Sequence, residues 1–141
     1  MKYIVLGYYP GKFEGMSESE RNAMRDECFT YDDELRKNGH WLSGEALPVD
    51  AAMTVHWKNG KVAVTDGPYV ETKEQLGGIL MLEARDLNHA IQLMSQHPAV
   101  RYGTPFEIHP VADMSGMMKE SEERRRKMPR AKGGQTGFQL A

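Results

Sequence analysis

The sequence is poor in cysteine: Cys28 stands alone among 141 residues. A lone thiol excludes an internal disulfide and a thiolate-caged metal, and it suits a reducing compartment, so a cytoplasmic location is expected. Long hydrophobic runs are missing as well. No stretch approaches the roughly 18 apolar residues of a membrane helix, and no charged-then-apolar leader opens the chain, so neither a membrane span nor a secretory signal is expected. A strong charge of one sign is also absent, the formal net charge being −2. That figure divides unevenly: residues 113–141 carry seven Lys/Arg against four Asp/Glu (+3), and residues 1–112 carry 11 against 16 (−5). A mildly acidic body offers no phosphate-binding face, so nucleic acid is not an expected partner.

The strong catalytic motifs are missing too. There is no phosphate-cradling glycine loop followed by Lys-Ser/Thr, no dinucleotide glycine fingerprint, no His-Glu-x-x-His and no Gly-x-Ser-x-Gly. His40, His56, His89, His97 and His109 follow no metal-ligand spacing, so no metal and no cofactor are expected.

What the chain does have is periodicity. Residues 2–9 are β-branched and aromatic and end at Pro10-Gly11, a strand and then a loop. Ser17 and Glu20 make a capping box, and Met24, Cys28, Tyr31 and Leu35 form one apolar stripe on the helix that follows, which makes Cys28 a core thiol. Asn38-Gly39 stops that helix, and residues 40–47 are extended. Two alternating runs in residues 53–65 flank Asn59-Gly60, the type I′ hairpin pair, with Lys58 facing Lys61 and Trp57 facing Val62. Met53, Val55, Trp57, Val62 and Val64 then share one face of the hairpin. Gly77-Gly78 opens a strand over residues 79–84. Asp86 caps a second helix with Leu87, Ala90, Ile91 and Met94 as its buried stripe, and residues 106–111 form the last strand.

This β-α-β-β-β-α-β order, with one small extra strand, fits an α+β fold: a ferredoxin-like subunit with an antiparallel sheet and two helices on one face. Tyr3-Ile4-Val5-Leu6 and Ile79-Leu80-Met81-Leu82 are apolar on both sides of their strands, yet two helices cover only one face. At about 25 cal/mol per Å² the uncovered face would forgo several kcal/mol. The same face of a second copy is the economical cover, so a homodimer with stacked sheets is expected. Residues 1–112 read as the domain. Residues 113–141 read as a basic tail, a one- or two-turn helix in which Glu122 and Glu123 support Arg126 and Lys127, and then a flexible end.

Four features could carry chemistry. Asp66-Gly67-Pro68 reads as a turn, or as a carboxylate at the rim of an apolar face, where desolvation would suit Asp66 to general-base work. Thr72, Lys73 and Glu74 read as a solvated loop, or as the hydroxyl, cation and carboxylate that meet an anionic ligand. Glu45 is a second carboxylate at a sheet end, an acid/base partner for Asp66 if the fold joins them. His56, on the polar hairpin face opposite Ala63, is either solvated or reaches a cleft.

Residues 65–78, Thr-Asp-Gly-Pro-Tyr-Val-Glu-Thr-Lys-Glu-Gln-Leu-Gly-Gly, with Met1-Lys2-Tyr3, closely resemble the YCII-related family. The resemblance is to its Asp-Gly-Pro-Phe branch, with Tyr69 at the fourth place. Ser43-Gly44-Glu45-Ala46-Leu47, Glu83-Ala84-Arg85-Asp86-Leu87 and the stretch from His97-Pro98 to Val111 support it, over residues 1–112. The resemblance implies a dimeric α+β barrel with a small-molecule cleft between helices and sheet. Lactone isomerases, small monooxygenases and dehydrochlorinases share that barrel, and fold alone selects no reaction among them. Parts of the wider family use a His–Asp pair whose His lies in the first helix. Residues 17–38 contain no His, so the resemblance carries no such pair onto this chain. The branch also accompanies extracytoplasmic-function sigma factors, which implies a regulatory association. The expected function is binding of a small polar or anionic molecule in a cleft bordered by Asp66, Lys73 and Glu74. Cofactor-independent isomerase- or lyase-type chemistry with Asp66 as base would follow. The alternative is a non-enzymatic binding or regulatory accessory.

Overall fold

In a computed structural model, residues 1–70 and 74–129 are described. They form β1 (Lys2–Tyr9), α1 (Glu18–Lys37), β2 (Trp41–Ala46), β3 (Met53–Lys58), β4 (Lys61–Asp66), β5 (Gln75–Glu83), α2 (Leu87–Ser95), α3 (Pro98–Arg101), β6 (Phe106–Pro110) and α4 (Ser115–Arg126). The main sheet runs β2-β5-β1-β6, and every neighbouring pair in it is antiparallel. With α1 and α2 in the two crossovers this is the ferredoxin-like α+β plan. The β3–β4 hairpin is an insertion before β5 and pairs only with itself.

Local chemistry sets the boundaries. Ser17 Oγ accepts the Glu20 amide hydrogen at 3.1 Å and starts α1. The other half of the box differs from the sequence reading: the Glu20 carboxylate accepts from the Ser17 hydroxyl, not from its backbone N–H. Gly39 closes α1 in the left-handed region (φ 78°). The Asp86 carboxylate caps α2 on the His89 amide at 2.8 Å. Asn59 and Gly60 take φ of 53° and 80°, as a type I′ turn requires, and Trp57 pairs with Val62. Gly77-Gly78 lies inside β5, not ahead of it, and a bulge there pairs Gly7 with Gly78 but Tyr8 with Leu76.

Alternation along the strands gives the sheet two unlike faces. Tyr3, Val5, Leu80 and Leu82 point toward the helices and join Ala84, Ala90 and Met94 in the core. Ile4, Leu6, Ile79 and Met81 point the other way and stay partly or largely open. On α1, Met24 and Leu35 are buried, whereas Cys28 and Tyr31 are half-buried. Only Ala90 and Met94 of the expected α2 stripe are buried. Leu87 and Ile91 flank an open groove toward β6, because the short α2 does not reach across that edge strand.

The apolar face of the hairpin is open: Val55 and Trp57 are each 70% exposed, since among the described residues no strand of the main sheet lies beside the hairpin. The tail helix α4 is also longer than one or two turns, with 12 residues and no buried side chain. No described helix is long and apolar enough to cross a membrane.

Two measurements check this packing. Leu82→Ala, at a side chain with no exposed surface, is expected to cost about 2–5 kcal/mol by chemical denaturation; a loss below about 1 kcal/mol would contradict the core described. At Cys28, burial chiefly, and the Asp32 and Glu27 carboxylates after it, push the thiol up. A raised value means less thiolate at pH 8, so iodoacetamide is expected to alkylate Cys28 at least about tenfold more slowly than glutathione. Equal rates would contradict the half-buried placement.

Candidate functional site

The inner face of the sheet is filled at one end and empty at the other. Past Val5 and Leu80 the next inward positions are Gly7 on β1 and Gly78 on β5, and β2 contributes Gly44 and Ala46. Without side chains there, the helices cannot close on the sheet, and a cavity of about 320 Å³ remains. Phe29, Asp32 and Arg36 of α1 overhang it, at spacings of three and four that put them on one helical face. Trp41, His97 and Phe106 supply further wall.

His97 and Asp32 meet in that wall. His97 lies just before Pro98, which is in the first turn of α3, and its Nδ1 accepts the Ala99 amide hydrogen at 3.1 Å. An accepting Nδ1 leaves the ring proton on Nε2, which donates to Asp32 Oδ1 at 2.9 Å. Both side chains are nearly out of solvent, at 9% and 14% exposure. The imidazole stands edge-on to Tyr31 (5.3 Å) and Phe106 (5.2 Å), so packing fixes its plane. A His–Asp pair is therefore assembled after all. The helix supplies the Asp, and the His comes from beyond α2. Both ring nitrogens are engaged, so the group of the pair left to work on a ligand is the carboxylate.

A second group stands one helical turn further on. The Arg36 guanidinium lies 4.3 Å from the centre of the Trp41 ring and donates to the exposed Asp33 carboxylate at 2.9 Å. The indole in turn lies across Gly44: a Cβ there would come within 2.4 Å of a ring carbon. Any other residue at 44 would push the ring, and the arginine resting on it, off β2.

The residues singled out from the sequence are dispersed. Glu45 borders the cavity, but its partner Ile79 faces outward, so by register its side chain belongs to the opposite face of the sheet. Asp66 is exposed at the end of β4, on the Val62/Val64 face as its spacing implied, and does not line the His97 cavity. Its turn is well secured: the Gly67 amide donates to the Ala52 carbonyl at 2.8 Å, and the Gly67 carbonyl accepts from Thr54 Oγ1 at 2.7 Å. His56 is half-buried opposite Ala63, and Glu74 is exposed ahead of β5. Thr72 and Lys73 lie outside the described residues.

Beside the Asp66–Pro68 turn a larger cavity, about 620 Å³, is lined by Leu47, Val49, Pro68 and Leu76 among others. Among the described residues no carboxylate, imidazole or lysine lines it. His40 and His89 meet edge-to-face at 5.1 Å, but each Nδ1 is taken, by the Glu83 carbonyl and by the Arg85 amide. An accepting Nδ1 leaves His89 with its proton on Nε2 and no lone pair for a metal. Burial first, and then the neighbouring Arg85 and His40, depress the His89 pKa. Among the described residues no group of three or more His, Cys, Asp or Glu could hold a metal ion.

Asp32, Arg36 and His97 all escaped the sequence reading. The first two keep a polar i,i+4 spacing beside the apolar stripe, and His97 precedes a proline; both signals were available.

Comparison with known proteins supplies kinship. A solved structure of 5-chloro-2-hydroxyhydroquinone dehydrochlorinase from Burkholderia phenoliruptrix AC1100, in complex with 2,5-dihydroxybenzoquinone, aligns at 14% identity and a TM-score of 0.48. That alignment covers 79% of this chain and 94% of the other. An uncharacterised protein of Rhizobium meliloti (strain 1021) is 33% identical over 115 residues, 79% of this chain and 93% of its own length. The model of the YCII-related domain matches residues 1–115, and the chain belongs to that family.

Proposed function

We infer that the protein is a small-molecule enzyme using Asp32 as general base, in proton-transfer chemistry of the isomerase or lyase type that needs no cofactor. The observation that carries this reading is the 2.9 Å hydrogen bond from His97 to Asp32 in the wall of the glycine-floored cavity. A carboxylate with little solvent around it, held in one orientation by a packed imidazole, is suited to take a proton from carbon or oxygen. His97 acts as a positioning residue: it holds Asp32 Oδ1 and cannot accept a proton on Nδ1 without losing the Ala99 contact. Asp66, with Lys73 and Glu74 nearby in sequence, is the rival base. The cavity beside its turn supports ligand binding there, but among the described residues no carboxylate, imidazole or lysine lines it.

The working unit in this proposal is a homodimer joined through the outer face of the sheet. Four large apolar side chains on two central strands, Ile4, Leu6, Ile79 and Met81, support it. The unpaired Cys28 supports a cytoplasmic setting. A non-enzymatic accessory role, with a sigma factor as the partner, is the second reading; α4, which buries none of its own side chains, favours it.

Two experiments test these readings. Enolisable acids and phenols are incubated with the protein in D2O and hydrogen exchange is followed by NMR. Asp32→Asn is expected to slow catalysed exchange by about 100-fold or more, with Asp66→Asn near wild type. Unchanged exchange in Asp32→Asn sinks the assignment, loss only in Asp66→Asn transfers it to Asp66, and no exchange by the wild type favours the accessory role. For assembly, light scattering is expected to give twice the 16.0 kDa chain mass, and Leu6→Lys is expected to halve it. A wild-type protein that stays monomeric at micromolar concentration refutes the dimer.

A further inference from the structure

Among the described residues, the cavity that holds Asp32 contains one cation, Arg36. Of the charged side chains on the helical side of the sheet, Asp32 is already tied to His97, and Arg36 stands one turn away on the same helix. Glu45, though adjacent, projects by register from the other face. An entering ligand therefore meets a guanidinium and a partnered carboxylate from neighbouring turns of one helix, their Cβ atoms about 5–6 Å apart. Phe29, Trp41 and Phe106 add flat aromatic surface to the wall, beside aliphatic Val5, Leu80 and Met94. A void of about 150 Å³ accepts benzene, so about 320 Å³ accepts a ring with its substituents.

The arginine is positioned rather than free to wander. Its guanidinium carbon stands 4.3 Å over the Trp41 ring centre, the indole is seated where Gly44 has no Cβ, and the exposed Asp33 carboxylate holds one nitrogen. Stacking on an aromatic face leaves the edge of the guanidinium fork for a bidentate anion, which a lysine could not present in the same way.

We propose that this site takes a planar ring bearing an anionic oxygen, carboxylate or phenolate, with Arg36 as the residue that binds the anion and the Trp41–Gly44 stack as the device that positions it. This rests on the Asp32 cavity being the working site. Arg36 holds the charge of the ligand while Asp32, on the same helix, faces the ring.

The test uses the Trp57→Phe background, which leaves Trp41 as the lone indole, and follows its fluorescence as benzoate or benzamide is added. Benzoate is expected to bind at least about tenfold more tightly than benzamide. Arg36→Gln is expected to remove that difference by weakening benzoate alone, and Arg36→Lys to restore part of it. Gly44→Ala is expected to weaken benzoate with Arg36 still in place. Equal affinity for the two rings, benzoate binding indifferent to Arg36→Gln, or no saturable benzoate binding overturns the proposal. The two readings fail separately. Arg36-dependent benzoate binding alongside unchanged exchange in Asp32→Asn removes the base and keeps the anion site. The converse removes the anion site and keeps the base.

Discussion

The site exists because one end of the inner sheet face carries three glycines and an alanine where large side chains would fill it. A helix-covered sheet normally packs to the density of an organic crystal, with large side chains interdigitating between the layers. Tyr3, Val5, Leu80 and Leu82 do so at one end and hold the helices at a fixed height. Gly7, Gly44 and Gly78 then decline to fill the space that height creates. Phe106 lies over Gly7 and Trp41 over Gly44, at separations that leave no room for a methyl group without movement. Core packing and cavity are thus two consequences of one strand alternation, and helix α1 takes part in both. Its Leu35 is sealed in the core while Asp32 and Arg36 overhang the void.

Division of labour between the sheet faces follows. The inner face carries the cavity and the Asp32–His97 pair, at the cost of forgone packing. The outer face carries apolar area that the chain does not cover. At its β6 margin the Glu107 carboxylate accepts hydrogen bonds from Tyr8 and His109. Those contacts, the His109 hydrogen bond foremost, hold its pKa below the ordinary carboxylate range. A polar rim beside an apolar centre is how association surfaces are commonly built. The hairpin and α4 add further uncovered surface, and a two-stranded hairpin is seldom stable in water without something against it.

The fold was largely legible in the sequence because its signals are local. Ser17, Asp86, Gly39 and Asn59-Gly60 each act within a few residues, and strand alternation in residues 3–6 and 79–82 needs no knowledge of the partner strand. The hairpin face follows from spacing, but its exposure does not, since spacing reveals which residues share a side and not what lies opposite. The Asp32–His97 pair shows the same boundary from the functional side. The two residues are 65 positions apart, and no period or motif links them; only the chain reversal through β2, β5 and α2 does. The family motif around Asp66 marks a loop whose turn is held by Ala52 and Thr54, whereas the inward-facing glycines that mark the His97 cavity lie on three separate strands.

The three floor glycines are not equivalent, and that difference bears on how such a pocket diverges between relatives. A methyl group at Gly44 would collide with Trp41, and one at Gly7 would crowd Phe106, but at Gly78 it would meet the Glu45 carbonyl at an ordinary 3.5 Å. The floor can therefore be raised at its centre by single carbon atoms while the side walls stay fixed. Cavity size becomes adjustable at one backbone position without disturbing Asp32, His97 or Arg36. A scaffold with that property can change what it accepts before it changes what it does.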